Sequence, residues 1–186
     1  MNFVEPIRSK EKIELMKNEL AKSSERDRLL FVFGINVGLR ISDIIELTVR
    51  DMLNLYGLMN THIELKERKT NKFKRFKINE NLAEEIFRYI KNMNMDDYIF
   101  KSRTGVKHIT RVQAYRILNQ AAKRIGLEEN IGTHTLRKTF GYHFYLQTHD
   151  IATLMELFNH SSPSMTLRYI GITQDTLDNA LDTFNL

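Results

Sequence analysis

The stretch His134-Thr135-Leu136-Arg137-Lys138-Thr139-Phe140-Gly141 places a histidine and an arginine three residues apart. On a helix that spacing puts both side chains on one face. Thr133 or His134 can open the helix, and Leu136, Phe140, Phe144 and Tyr145 supply its apolar positions. Gly126 and the polar run Glu128-Glu129-Asn130 lie just ahead. Downstream, Asp150 caps a second helix carrying Ile151, Leu154, Met155 and Phe158. Asn159-His160-Ser161-Ser162 follows, and Pro163 or Ser164 starts the segment that bears Arg168-Tyr169. If these polar groups converge, they suit one phosphate. Each arginine is always protonated and offers a planar fork that grips two oxygens.

Working back toward the N-terminus, the pattern stays helical. Residues 1–8 read as a short leader without structure of its own, and Ile13, Met16 and Leu20 recur at helical spacing from Ser9 onward. Ser23 or Ser24 caps a broadly buried helix with Leu29, Leu30, Val32, Phe33 and Ile35, which Gly38 ends. Leu39-Arg40-Ile41 is a turn, and Ser42 caps a short helix through Leu47, so Arg40 sits at a helix-to-helix junction. The period then changes. His62-Ile63-Glu64-Leu65 and Phe73-Lys74-Arg75-Phe76-Lys77-Ile78 alternate around a Lys69-Thr70-Asn71-Lys72 turn, which predicts an antiparallel hairpin. Asn79 or Asn81 caps the next helix, with Leu82, Ile86, Tyr89 and Ile90 as its apolar face. After an extended Tyr98-Ile99-Phe100, Thr110 caps a long helix that Gly126 ends. Thr173 to Leu186 reads as an amphipathic helix with Leu177, Leu181 and Phe184 on one face. The expected fold class is α+β, mostly α-helical, with a small antiparallel sheet.

Composition narrows the function classes. The chain has 186 residues, 42% of them hydrophobic and 27% charged, as expected of one globular domain. No apolar run approaches the roughly 20 residues that span a bilayer, so no membrane role is expected. The N-terminal residues lack the basic flank and apolar core of a secretory signal. The absence of cysteine excludes disulfides, cysteine nucleophiles and thiolate metal sites. A cytoplasmic location is the expectation. The net charge is +5, and between Lys66 and Lys77 seven Lys and Arg residues face one acid, Glu67. That concentration points to an anionic partner, nucleic acid first. A solvated edge strand is the bland alternative for the same lysines. The six histidines include no pair three or four residues apart on one helix with an intervening acid, so no metal site is expected.

The polar residues assemble into a chemistry for phosphodiester exchange. Arg40 and Arg137, each at or near a helix start, suit the charge that develops on non-bridging oxygens. His134, one turn before Arg137, and His160 can donate to the same oxygens. Tyr169 can form a covalent intermediate. Its phenol is a weak nucleophile unless nearby cations lower its pKa, which the two arginines and a lysine are expected to do. Lys69 by preference, or Lys72, can protonate the leaving 5′-oxygen.

At these residues the sequence resembles the catalytic domain of the tyrosine recombinases, the phage-integrase family. Gly38-Leu39-Arg40-Ile41-Ser42-Asp43 matches the family's first arginine motif, Lys69 its hairpin lysine, and His134 to Arg137 its His-x-x-Arg box. Asn159-His160-Ser161-Ser162 resembles its Gly-His-Ser-Ser box, and Tyr169 in Thr166-Leu167-Arg168-Tyr169 matches its nucleophile. The similarity runs from about Arg26 to Ile172. Three positions depart from the pattern: Asn159 replaces a glycine, Lys138 a histidine, and Asp43 a glutamate.

The resemblance implies a tyrosine-recombinase catalytic-domain fold across residues 1–186, with no N-terminal core-binding domain. It implies a site-specific recombinase or integrase of the kind carried by mobile elements, which cleaves and rejoins DNA through a 3′-phosphotyrosyl intermediate. Catalytic roles fall to Arg40, Lys69, His134, Arg137, His160 and Tyr169. Double-stranded DNA is the partner, and neither ATP nor any other cofactor is implied. Residues 173–186 would pass between protomers of a DNA-bound tetramer, and a nucleoid location follows. Lys66, Arg68, Lys72, Lys74, Arg75, Arg111, Arg116, Lys138 and Arg168 are the expected further DNA contacts. A DNA-binding protein of the same fold that lacks strand exchange is the alternative. A one-site topoisomerase would share the chemistry.

Overall fold

The computed structural model describes residues 4–66, 73–127, 130–172 and 182. Eleven elements follow in order among them. They are α1 (Lys10–Ser23), α2 (Glu25–Val37), α3 (Ile41–Ile44), α4 (Val49–Met52), β1 (His62–Lys66), β2 (Phe73–Lys77), α5 (Glu80–Ile90), α6 (Arg111–Arg124), α7 (Thr133–Thr148), α8 (Ile151–Phe158) and α9 (Pro163–Ile170). The expected helical α+β architecture is found, with β1 and β2 paired antiparallel so that Ile63 faces Phe76. The Thr173–Leu186 helix expected from sequence lies, apart from Asp182, outside the described residues.

Helix α2 is the centre. Its Leu29, Leu30, Phe31, Val32 and Phe33 are all buried, and it packs against α1, α5 and α7. Gly34 lets α7 pack closely on α2; a Cβ at Gly34 would lie 2.5 Å from a Leu136 methyl. Gly38 then ends α2 in the left-handed conformation, φ 69°. A second, smaller apolar cluster is built from Leu154, Phe158, Ile170 and Ile172, with Phe140, Tyr142, Phe144 and Tyr145 of α7 packed on it. It carries α8 and α9.

Local capping explains where the elements start. Ser9, Asn79, Thr110, Asp150 and Ser162 each accept a main-chain N–H of the first turn of α1, α5, α6, α8 and α9. Two boundaries differ from the sequence expectation. Arg40 itself, not Ser42, is the residue before the first turn of α3, which ends at Ile44 rather than Leu47. Helix α4 has no counterpart in the sequence expectation. It starts at Thr48, whose N–H and hydroxyl both donate to the Asp51 carboxylate (2.7 and 2.8 Å). That pairing is a helix-start signature, but four residues leave no apolar period to read.

The leader also differs. Residues 4–8 are docked: Ile7 is fully buried, its N–H donates to Thr139 Oγ1 (2.9 Å), and the Glu5 N–H donates to the Asn130 carbonyl (3.1 Å). Buried Pro6 and Ile7, together with hydrogen bonds made largely by the main chain, hold this segment, which gives no periodicity to read.

Gly141 marks the tightest contact between α7 and α9. A Cβ there would lie 2.6 Å from Ile170 Cγ2 and 2.8 Å from the Phe158 ring. Gly141→Ala is therefore expected to lower stability by about 1–3 kcal/mol through overpacking. Urea unfolding should show a lower midpoint at unchanged slope.

Candidate active site

Five side chains from separate parts of the chain meet at the edge of α7. Arg40 comes from the entry to α3, and His134 and Arg137 from the first turns of α7. His160 follows the end of α8, and Tyr169 is near the end of α9. The Tyr169 hydroxyl lies 3.4 Å from His134 Nδ1. The His160 and Tyr169 rings meet edge to face at 5.1 Å between centroids. The charges of Arg40 and Arg137 act on His134, His160 and Tyr169 alike, which brings both arginines into the same cluster.

Arg137 is buried, at 3% exposure. Its guanidinium donates to the Gly38 carbonyl (2.7 Å) and the Leu157 carbonyl (3.4 Å), and it lies 4.3 Å from the centroid of the Phe158 ring. The carbonyls at the ends of α2 and α8 thus fix the fork. A guanidinium has five N–H groups, so it can hold these carbonyls and still face an anion.

His160 leaves α8 through Asn159, which adopts the left-handed conformation (φ 57°, ψ 47°). Asparagine tolerates that conformation best after glycine, which accounts for the departure from the glycine in the family motif. His160 Nδ1 is 3.0 Å from the hydroxyl of fully buried Thr166. The same hydroxyl lies 3.3 Å from the Ser162 carbonyl, so its one proton goes either there or to Nδ1; in the tautomer where Thr166 donates to Nδ1, the Nε2–H is left to face the site.

The site is cationic, and its titrations reflect this. His134 is held below the ordinary histidine value by partial desolvation and by Arg111, Arg137, Lys138 and Arg40. His160 is lowered by desolvation, Arg137 and Arg40. Tyr169 moves the other way. Burial raises its pKa, and although Arg137 and Arg40 pull it down, burial prevails. The sequence expectation that the cations would lower it is therefore corrected: the ring packs on Phe158 and His160, and that cost outweighs the arginines.

The remaining expected residues are dispersed. Lys69, Arg68 and Lys72 lie outside the described residues. Lys66 is exposed beside the Phe73 ring (5.6 Å). Arg75 pairs across the hairpin with Glu64 (3.4 Å) and donates to His62 Nδ1 (3.2 Å). Lys74 donates to the Glu156 and Leu157 carbonyls at the end of α8, so it anchors β2 rather than facing solvent. Lys138, expected on DNA, is instead buried, and its ammonium donates to the Val4 carbonyl (2.8 Å). Arg111 is exposed beside His134, whereas Arg116 lines a separate groove with Arg103 and Arg124. Arg168 is exposed and borders a cavity shared with Tyr169. Among the described residues, no group of three or more His, Asp or Glu is placed to hold a metal, and no helix is long and apolar enough to cross a membrane.

Sequence reasoning missed Thr166 and Phe158. Phe158 reads as ordinary helical core, yet its ring touches Arg137, His160 and Tyr169 together. Nothing in the sequence distinguishes it from Leu154.

Comparison with known proteins gives a consistent result. The phage integrase family profile matches residues 6–175. The probable integrase/recombinase YoeC of Bacillus subtilis (strain 168) is 53% identical over 184 residues, covering 99% of this chain and 98% of that protein. Other curated tyrosine recombinases are longer: the chain spans 61% and 50% of two of them. The solved catalytic domain of bacteriophage HP1 integrase superposes with a TM-score of 0.63 at 23% identity, covering 96% of this chain and 95% of that one. XerH site-specific recombinase bound to a palindromic difH substrate, in a post-cleavage complex, gives 0.74 at 20% identity, over 98% of this chain and 54% of that one.

Two outcomes are expected. Thr166→Val removes the partner of His160 Nδ1 and of the Ser162 carbonyl, and should slow any DNA cleavage about tenfold while lowering stability by about 1–3 kcal/mol. The second concerns acid. Because the folded histidines are depressed, the unfolded chain takes up those protons first, so stability falls as pH drops below about 6.5. Urea midpoints should fall between about pH 7.5 and 5.5, and less steeply in a His134→Gln, His160→Gln variant. A wild-type midpoint independent of pH over that range would exclude the effect.

Proposed function

The chain belongs to the phage integrase family, and on that premise we propose that it is a tyrosine-type site-specific recombinase whose nucleophile is Tyr169. The observation that carries this reading is the Tyr169 hydroxyl beside His134 Nδ1, inside a cluster that also holds His160, Arg40 and Arg137.

The phenolic oxygen attacks the scissile phosphorus, the phosphorus–O5′ bond breaks, and a 3′-phosphotyrosyl ester forms. The phenol proton must leave as attack proceeds, because burial holds it on the oxygen in the resting state. His134, kept neutral at pH 7, is supported as its acceptor by the 3.4 Å approach. Arg137, Arg40 and the His160 Nε2–H answer the charge on the non-bridging oxygens. Each such donor is typically worth about 10²–10³ in rate. Lys69 is proposed as the acid that gives a proton to the leaving 5′-oxygen, on the motif match alone. The 5′-hydroxyl of a second strand then displaces Tyr169. Each step replaces one phosphate ester by another, so no external energy source is required.

The same reading extends to partners. Double-stranded DNA is the substrate, which carries a nucleoid location with it. Assembly into a tetramer on DNA through residues 173–186 rests on the family resemblance. Residues 1–186 are proposed as a single catalytic domain.

Covalent capture on a nicked suicide substrate tests the reading. Wild-type protein should become linked to DNA, and Tyr169→Phe should lose linkage completely while shifting DNA in a gel as before. Arg137→Lys, which gives up the planar fork, should reduce linkage about a hundredfold or more. Wild-type protein that shifts DNA without ever being linked would make the chain a DNA-binding module.

A further inference from the structure

Residues 4–8 run along α7 and reach both ends of the catalytic cluster. At one end the Lys138 ammonium donates to the Val4 carbonyl (2.8 Å) and lies 5.4 Å from the centroid of the Tyr169 ring. In the middle, the Ile7 N–H is held by Thr139 Oγ1 and the Ile7 carbonyl by His143 Nε2, both at 2.9 Å. At the other end Arg8 donates to the Gly171 carbonyl (3.3 Å), immediately after α9, and pairs with Glu5 (3.0 Å). Gly171 is left-handed, φ 80°, and a Cβ there would lie 3.2 Å from Pro6 and 2.8 Å from Arg8. Glu5, Lys138, Arg168, Tyr169 and Gly171 line one open cavity of about 540 Å³.

We propose that residues 4–8 form a clasp that seats the nucleophile, with Lys138 as the positioning residue that couples the clasp to the Tyr169 ring. The proposal rests on Tyr169 being the nucleophile. The physical case is one of constraint. Lys138 is 9% exposed, and Val4 is the partner that holds its charge on the ring side of α7. A cation over an aromatic face is attracted to it and fixes where the ring lies. Arg8 secures the far end of α9, so the helix bearing Tyr169 is held at its side chain and at its C-terminal carbonyl. Misplacing a reacting atom by about 1 Å can cost a hundredfold in rate. A clasp that prevents such drift therefore acts on the reaction without touching DNA.

The test compares Lys138→Met, Lys138→Arg, Thr139→Val and the Lys138→Met, Thr139→Val double variant, each checked for wild-type melting. Thr139→Val removes the acceptor of the Ile7 N–H and so loosens the clasp without altering Lys138. Single-turnover linkage to a nicked substrate should fall about tenfold in Lys138→Met and in Thr139→Val. The double variant should lose no more than either, because both remove one coupling. Lys138→Arg should recover most of the rate, and gel-shift affinity should stay unchanged throughout. Hydrogen exchange in residues 163–172 should quicken in Lys138→Met and Thr139→Val but not in α8, whether or not DNA is cut. Unchanged exchange in both variants, or multiplied losses in the double variant, would overturn the clasp. Failure of the wild type to link DNA would instead overturn the assignment of Tyr169, leaving the exchange data to decide the clasp. Where a buried variant melts early, exposed Arg8→Ala makes the same comparison at Gly171.

Discussion

A guanidinium taken out of water must be answered by fixed dipoles, and Arg137 is answered by two carbonyls and one arene. Arg137 and those partners together span three elements. Gly38 ends α2, Leu157 and Phe158 end α8, and Arg137 itself is in α7. One buried cation thus holds α7, the end of α2 and the end of α8 together. The carbonyls are the unsatisfied C-terminal groups of their helices, where partial negative charge gathers. They hold the guanidinium without neutralising its charge, as a carboxylate would. The field therefore remains available to an incoming anion, which is the condition for a preorganised phosphate site.

That field also explains the opposing titrations around it. The imidazoles of His134 and His160 stay neutral because they share space with cations and are partly desolvated. The phenol stays protonated because its ring is packed, despite the same cations. A neutral imidazole beside a protonated phenol is the resting arrangement that the proposed chemistry starts from. Because they share one set of cations, an anionic phosphodiester at the site would change the electrostatic balance at all of these groups at once.

Much of this was legible from residues alone. Capping residues and apolar periods located seven of the helices, alternation located the hairpin, and the order of Arg40, His134, Arg137, His160 and Tyr169 carried the resemblance. The unread parts share a physical reason. Helix α4 is a single turn, too short for a period. Residues 4–8 bind through main-chain groups, which every sequence possesses. Lys138 and Lys74 look like surface cations, but their ammonium groups are spent on carbonyls brought close only by the tertiary fold. The direction of the Tyr169 shift depended on how tightly its ring is packed, and no count of nearby arginines reveals packing. Asn159 reads as a departure in a motif, while in three dimensions it fulfils the same left-handed requirement as glycine.

The division of the interior into two apolar clusters has a consequence for how such a chain changes over time. The larger cluster, around α2, sets whether the molecule folds; the smaller one, around Phe158 and Ile170, sets where Tyr169 and His160 stand. Substitutions in the first are filtered for stability, and those in the second for geometry. Distant, independent sites combine additively. Leu157 packs against both clusters and Arg137 joins the end of α2 to α8, so changes at that seam are coupled, whereas a lineage can accumulate stabilising changes in the far part of the α2 cluster with little effect on the seat of Tyr169. The partition separates robustness from adaptability within a single small domain.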